Sequence, residues 1–440
     1  MRLHRPLPLD GGGPGRGWRA NRRKFPRDVG LSPLQDTAAA VAWLRTPEAI
    51  RERCGKVLAA AEADALEHFA LDEAQLDSAA DYVIETVRQA YPSLAIPYHA
   101  RWRHFSVGGL DRWGGLSASI DDREEHARIG FDLAVTSVLL DAGAGDVWRY
   151  REAGEGETYA RSEGLAVASF HVFATGLFSA DPEAPLRADA AALRALPEAA
   201  IAEGFQVTSD NPLVGVEGRH SLLRRLGEAL EREPELFGSA PRVGHLYDYL
   251  AAQAVDGAVE AAAILAAVLR GFASIWPGRI ELGGANLGDV WRHPAATADD
   301  MTDGLVPFHK LSQWLTYSLV EPLEWAGLRV TGLERLTGLP EYRNGGLLID
   351  CGVLRPKHAA VTETAHRPGD PVVVEWRALT VALLDRLAAR IRDRLDLDEA
   401  ALPLAKILEG GTWSAGRRIA AEKRPGGPPP IRLESDGTVF

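Results

Sequence analysis

Apolar residues recur at helical spacing in one run after another along this chain, and almost nowhere alternate as a strand requires. Thr37 to Trp43 and Glu48 to His68 are alanine- and leucine-rich amphipathic runs, with Pro47 near a helix start. Ser78 to Ala90 repeats the pattern until Tyr91-Pro92 breaks it. Asp122 to Leu140 ends in the glycine-rich Asp141-Ala-Gly-Ala-Gly145, and Ser162 is placed to cap a run that reaches Leu177. Ser221 to Glu231, Gly244 to Gln253, Ala258 to Leu269, Lys310 to Trp325 and Val372 to Arg394 continue the series. Trp148-Arg-Tyr-Arg151 and Thr158-Tyr159, around Gly154 and Gly156, predict a short hairpin. The fold class is therefore mainly α, with at most a few short strands. At 440 residues the chain can bury a large core and fill two lobes.

Charge narrows the partners. A net charge of −12 leaves no excess of Lys and Arg to neutralise phosphates along a nucleic acid. No stretch approaches the roughly 20 uninterrupted apolar residues of a membrane span. The two cysteines, Cys54 and Cys351, lie far apart, make no metal cluster by themselves and suit a reducing cytosol. The first 30 residues differ from the rest: eight Lys or Arg stand against two Asp, with Gly11-Gly12-Gly13-Pro14-Gly15 and no apolar h-region. Residues 1–35 read as a disordered basic arm. Residues 36–408 read as the helical body, and 409–440 as a Gly/Arg-rich extension packed on it.

Three polar islands interrupt the apolar background between Leu287 and Gly346: Leu287-Gly-Asp-Val-Trp-Arg-His-Pro294, Leu305-Val-Pro-Phe-His-Lys-Leu-Ser-Gln313 and Leu339-Pro-Glu-Tyr-Arg-Asn-Gly-Gly346. Each sets ionisable groups beside large aromatics: Asp289 with Trp291, His309 and Lys310 with Phe308, Glu341 and Arg343 with Tyr342. A solvated surface does not need the aromatics, and a core does not tolerate the charges. Ionisable groups held in a partly dry cleft are what an acid/base site for a small polar substrate requires. The bland alternative is three ion-paired turns supporting a core.

Asp289 leaves a turn against Trp291, so burial raises its pKa while Arg292 or Lys310 would lower it. Lys310 opens a helix, where the dipole disfavours a cation, and such a charge is often kept for an anion. Glu341 can serve as a second carboxylate or hold a sugar hydroxyl, or simply pair with Arg343. His99-Ala-Arg-Trp-Arg-His104 invites a metal reading, but Arg101 and Arg103 repel a cation and no third ligand is near. It reads instead as an anion- or sugar-binding patch. Asp210 sits in a turn with Asn211-Pro212 and is a further contact candidate. Glu409-Gly-Gly-Thr-Trp-Ser-Ala-Gly-Arg-Arg418, with Thr412 and Arg417, reads as a Gly-rich turn ahead of a short helix, able to offer N–H groups to an anion. The chain carries no P-loop, dinucleotide fingerprint, zincin motif or Gly-x-Ser-x-Gly elbow.

From about Ala38 to Phe440 the chain resembles a family of unknown function associated with uracil catabolism in fungi and bacteria. The resemblance is carried by Ile96-Pro-Tyr-His-Ala-Arg-Trp-Arg-His-Phe, Gly204-Phe-Gln-Val, Pro307-Phe-His-Lys-Leu-Ser-Gln-Trp and Glu409-Gly-Gly-Thr-Trp. More distantly, Asp289 to Arg377 resembles the queuosine salvage nucleotide N-glycosidases. The matching stretches are Asp289, Phe308-His309-Lys310-Leu311-Ser312-Gln313, Leu336-Thr337-Gly338-Leu339-Pro340-Glu341-Tyr342-Arg343, Gly352-Val353-Leu354 and Glu375-Trp376-Arg377-Ala378. Departures are Glu341 where that family has Asp, Leu311 where it has Arg, and the insert Ala295 to Asp303.

That second resemblance implies a helical, DNA-glycosylase-like, two-lobed architecture, with Asp289 as the catalytic carboxylate and Lys310 in contact with substrate. The expected activity is hydrolysis of the C–N glycosidic bond of a ribosyl-urea 5′-phosphate or related nucleotide, through an oxocarbenium-like transition state. Lys310 or His309 would assist the departing nitrogen. Arg101, Arg103, Arg343 and the Thr412–Arg418 turn would hold phosphate, and Trp148 and Trp291 would wall off water. No metal or organic cofactor is required by this reading. The alternative is a non-catalytic nucleotide-binding or regulatory partner of the pathway's enzymes; an amidohydrolase would want a metal site that the sequence does not offer.

Overall fold

Helical periodicity becomes helix along most of the chain. The computed structural model describes residues 36–141, 143–154 and 157–434, so the expected basic arm lies outside the described residues. The fold is mainly α. Thr37–Leu44, Pro47–Glu62, Gln75–Ala90, Arg123–Leu139, Arg161–Ala174, Val216–Arg232, His245–Ala251, Ala261–Gly271, Lys310–Trp325 and Pro371–Leu395 are helices where runs were read. Their starts have side-chain causes: Asp36 accepts the Ala39 N–H, Thr46 accepts that of Ala49 ahead of Pro47, and Asp122 accepts those of Glu124 and Glu125.

Several boundaries depart from the sequence reading; Ala258–Glu260, read as the start of a helix, is a strand parallel to Arg329–Thr331. The run expected to reach His68 stops at Glu62, where Asp64 turns left-handed and Phe69–Leu71 leaves as a strand antiparallel to Leu354–Pro356. Ser162 does not cap its helix: that role falls to Ala160, without a side-chain bond, and the Ser162 hydroxyl serves Asp141 instead.

Among the described residues every strand is two or three residues long and pairs with one partner. The hairpin read around Gly154 forms, with Tyr150 opposite Tyr159. A second hairpin matters more. Val290–Arg292 runs antiparallel to Leu305–Pro307, with Val290 opposite Pro307, so the insert Ala295 to Asp303 is simply its loop. This register brings Asp289 beside Phe308 and makes neighbours of the first two islands.

The helices fall into two groups. Pro47–Glu62, Gln75–Ala90, Tyr342–Asp350, Pro371–Leu395 and Trp413–Lys423 pack on one another, as do Arg123–Leu139, Arg161–Ala174 and the helices that follow to Gly271. Lys310–Trp325 packs along Arg123–Leu139 and Ala261–Gly271, while its first turn faces the other group. One continuous apolar cluster from Ile50 to Ile431 spans both groups, and a small one joins Val41 and Leu44 to Leu287, Val290 and Leu305. At about 1.5–3 kcal/mol for each large apolar side chain, this shared burial fixes the groups against each other. The expected boundary after residue 408 falls inside a helical run: Leu404–Ile407, a π-helical turn at Leu408–Thr412 and Trp413–Lys423 follow without a break. No described helix is long and apolar enough to cross a membrane.

Gly416 lets the last helix press against the start of Tyr342–Asp350, where an added Cβ would lie 2.2 Å from the Arg343 carbonyl oxygen. Backbone cannot swing aside as a side chain can. Gly416→Ala is therefore expected to cost about 1–3 kcal/mol, read as a lower urea midpoint with unchanged slope.

Candidate active site

Asp289 is held by four donors. Arg377 binds it bidentately, Nη1 to Oδ1 and Nη2 to Oδ2, both at 2.8 Å. The Trp291 indole N–H reaches Oδ1 at 2.6 Å, and the Lys310 backbone N–H reaches Oδ2 at 3.0 Å. Burial pushes this carboxyl up, but Arg377, Trp291 and the Lys310 amide hold it well below the usual carboxylate range. Both oxygens are saturated in plane, so Asp289 is a fixed anion that orients what surrounds it. It has no lone pair in reserve for a water.

Arg377 has no role in the sequence reading beyond its place in the matching stretch Glu375-Trp376-Arg377-Ala378. It projects from Pro371–Leu395, is 1 % exposed, and touches all three islands. It binds Asp289 of the first, lies 4.2 Å over the Phe308 ring of the second, and points Nε at the Pro340 carbonyl of the third. A buried Arg within the apolar run Val372 to Leu384 was the available signal, and Glu375 is its companion: Glu375 accepts the His68 and Phe69 N–H groups at 3.1 and 2.9 Å.

His309 stands at φ 49° and ψ 38°, the left-handed turn through which the strand Leu305–Pro307 enters the helix. Its Nε2–H donates to the Leu44 carbonyl at 2.9 Å, and burial lowers its pKa, so it is a neutral anchor. Lys310 follows as the first helical residue. Its ammonium makes no hydrogen bond or ion pair among the described residues. Burial lowers its pKa from 10.5, and it feels the charges of Glu341, Asp141, Arg377 and Asp289.

Glu341 caps Tyr342–Asp350, its Oε2 accepting the Arg343 N–H at 2.7 Å and its Oε1 the Asn344 N–H. Burial raises its pKa against those amides and against Lys310 and His99. Tyr342 turns its phenol toward the same group, raised by burial and by Glu341, with Asp141 also in range. Asp141, read from sequence only as a helix end, receives Arg101 Nη1 at 3.0 Å and the Ser162 hydroxyl. The three islands thus converge on Lys310, joined by Asp141 and Arg101.

Arg101 is fully buried, bound to Ser137 at 2.7 Å and to Asp141. His99 Nδ1 meets Glu409 at 2.8 Å, and His104 is buried, held neutral by burial and by the cations around it. Four other candidates lie elsewhere. Arg103 pairs with Glu321 at 2.6 Å, Arg343 donates to the Gly427 carbonyl at 2.8 Å, and Asp210 is exposed in its loop. Trp148 is not a wall against water but fully buried core, its indole bound to the Phe205 carbonyl at 2.9 Å.

The Glu409–Thr412 segment corrects another expectation. It is a π-helical turn in which the Trp413 N–H returns to the Leu408 carbonyl, so its amides serve the helix and not an anion. Thr412 is buried with a hydroxyl that has no partner among the described residues, and Arg417 pairs with Glu163 with its guanidinium 4.9 Å over Trp413. Among the described residues no three His, Cys, Asp or Glu side chains group as metal ligands. Behind Asp289 and His309 a narrow cleft opens between Arg45, Trp276, Asn286 and Leu311.

Asp289→Asn would turn an amide NH₂ toward donors and leave the Arg377 charge uncompensated. A loss of about 3–5 kcal/mol is expected at neutral pH, measured by urea unfolding. A carboxyl with a depressed folded pKa contributes fully above its unfolded value of roughly 3.9, and that contribution vanishes as pH falls through the folded value. The gap between wild type and variant should therefore hold at neutral pH and narrow only in strong acid.

Residues 43–440 match the family described as "Protein of unknown function (DUF1688)". Protein urg3 of Schizosaccharomyces pombe is 42 % identical over 415 residues, covering 91 % of this chain and 99 % of that protein. Uracil catabolism protein 4 of Lachancea kluyveri is 40 % identical over 410 residues, covering 85 % and 92 %. The islands built around Lys310 and Glu341 lie wholly within the matched span, and the chain belongs to the DUF1688 family.

Proposed function

We propose that this protein is an N-ribosyl hydrolase of uracil catabolism, cleaving the C–N glycosidic bond of a ribosyl-urea 5′-phosphate or related nucleotide. The observation that carries the reading is the ammonium of Lys310, without a hydrogen bond or ion pair among the described residues, within the field of the buried carboxyl of Glu341. The name of the Lachancea relative supports the pathway. The distant resemblance to nucleotide N-glycosidases supports the bond.

Breaking a C–N bond to a weakly basic nitrogen needs a proton for the leaving group and a base for the attacking water. Lys310, its pKa lowered by burial, is the acid: its ammonium gives a proton to the departing nitrogen. Glu341, its pKa raised by burial, is the base: it takes a proton from water as the C1′–O bond forms. Transfer of that proton from Glu341 back to Lys310 restores the starting state. Asp289 is a positioning residue in this scheme, since it fixes the amide of Lys310 rather than the substrate.

Purified protein is expected to release ribose 5-phosphate from ribosyl-urea 5′-phosphate or UMP, with Glu341→Gln and Lys310→Met each lowering the rate at least a hundredfold, the lower range for a general acid–base group. Binding without release from either substrate would move the assignment to a regulatory nucleotide-binding protein. The pH–rate profile supplies a second check. Activity falls as acid protonates Glu341 and as base deprotonates Lys310, so the acid limb should lie above the ordinary 4.5 and the basic limb below 10.5. Limbs at the ordinary values would remove these two groups from the chemistry.

A further inference from the structure

Beside Lys310, a cluster of buried polar atoms lacks partners. Arg101 Nη2, His104 Nδ1 and Trp314 Nε1 are each buried without a hydrogen bond among the described residues. Polar atoms left so inside a protein call for an explanation, because each costs about 1–3 kcal/mol unmet. They belong to one assembly. The Arg101 guanidinium lies 5.6 Å over the Trp314 ring, and the His104 and Trp314 rings are 5.9 Å apart. Trp413 closes the group at 5.9 Å from His104 and from His99.

Three guanidinium groups lie within range of His104, those of Arg101, Arg417 and Arg103, each also paired with a carboxylate: Asp141, Glu163 and Glu321. Arg101 keeps one nitrogen for Asp141 and one atom uncommitted. A site with an uncommitted guanidinium nitrogen, an indole N–H and a neutral imidazole is built for an oxyanion.

Its position relative to the chemistry is fixed by helix geometry. Lys310 and Trp314 are four residues apart on Lys310–Trp325, hence neighbours on one face with about 5–6 Å between their Cβ atoms. Asp141 ties the two ends together, bound to Arg101 and within the field of Lys310.

We infer that Arg101, His104 and Trp314 form the phosphate-binding pole of the site, seating the 5′-phosphate of a ribosyl substrate while its C1′ lies between Lys310 and Glu341. This rests on the N-ribosyl hydrolase reading for the sugar, and on the unpartnered atoms for the phosphate. It replaces Arg103 and Arg343, whose side chains are engaged elsewhere, and adds Trp314, which sequence reading passed over.

Calorimetric titration of the full-length protein with ribose 5-phosphate, inorganic phosphate and ribose tests it. The wild type should bind ribose 5-phosphate, bind phosphate more weakly and ignore ribose. Trp314→Phe keeps the ring and deletes a donor that makes no internal bond, so folding should be intact; affinity for ribose 5-phosphate should fall about tenfold or more. His104→Gln, made separately, should repeat the loss if either variant folds poorly, and Arg103→Gln should leave binding unchanged. Wild-type affinity in a folded Trp314→Phe or His104→Gln protein would overturn the assignment, as would ribose binding as well as its phosphate. Lost binding in the variants, with no C–N cleavage by the wild type, would leave the phosphate pole standing and remove the hydrolase reading. Cleavage and ribose 5-phosphate binding untouched in both variants would do the reverse.

Discussion

The site depends on the guanidinium of Arg377. It is one of the few groups able to bind a carboxylate bidentately and reach a carbonyl with another N–H in its plane while offering its face to an aromatic ring. Here these contacts go to Asp289, Phe308 and Pro340, one in each polar island. Three segments far apart in sequence acquire a common origin from a single side chain. With Asp289 clamped, the first turn of Lys310–Trp325 is fixed through a backbone amide, and the lysine side chain is left free of any structural duty.

Charge distribution follows from that division of labour. The anion with the most partners, Asp289, is the least able to exchange a proton, while Glu341, held by two amides, keeps a raised pKa. Sequence alone favours the reverse ranking, because the motif match falls on Asp289 and the pairing is invisible. Lys310 keeps an unusual position at a helix N-terminus because Asp289 sits at the same end and offsets the dipole there.

Much of the fold was legible because its period is local. Amphipathic runs such as Pro371–Leu395 declare themselves within a few turns, and caps such as Asp122 mark their starts. What was not legible depended on long-range geometry. Asp141 reads as a helix end until Arg101 arrives from another segment, Trp314 carries no mark of its unmatched N–H, and Trp148 reads as a wall against water although it is packed in the core. The sequence reading seeks partners within or beside each island, offering Arg343 for Glu341 and Arg292 or Lys310 for Asp289. The protein instead uses partners eighty or more positions away: Arg377 for Asp289 and the Gly427 carbonyl for Arg343.

The π-helical turn at Leu408–Thr412 has a consequence of phase. A π turn holds one residue more than an α turn, so the helix beyond it is rotated by roughly 100° relative to an uninterrupted one, at 3.6 residues per turn. Glu409, bound to His99, and Trp413, tilted against His99 and edge-on to His104, stand at the two ends of this turn. Straightening the turn at constant length would carry the indole about 100° away from the imidazoles, whereas removing one residue between Ile407 and Trp413 would let a regular helix keep it in place. The wide turn is how this segment carries one extra residue without losing the facing.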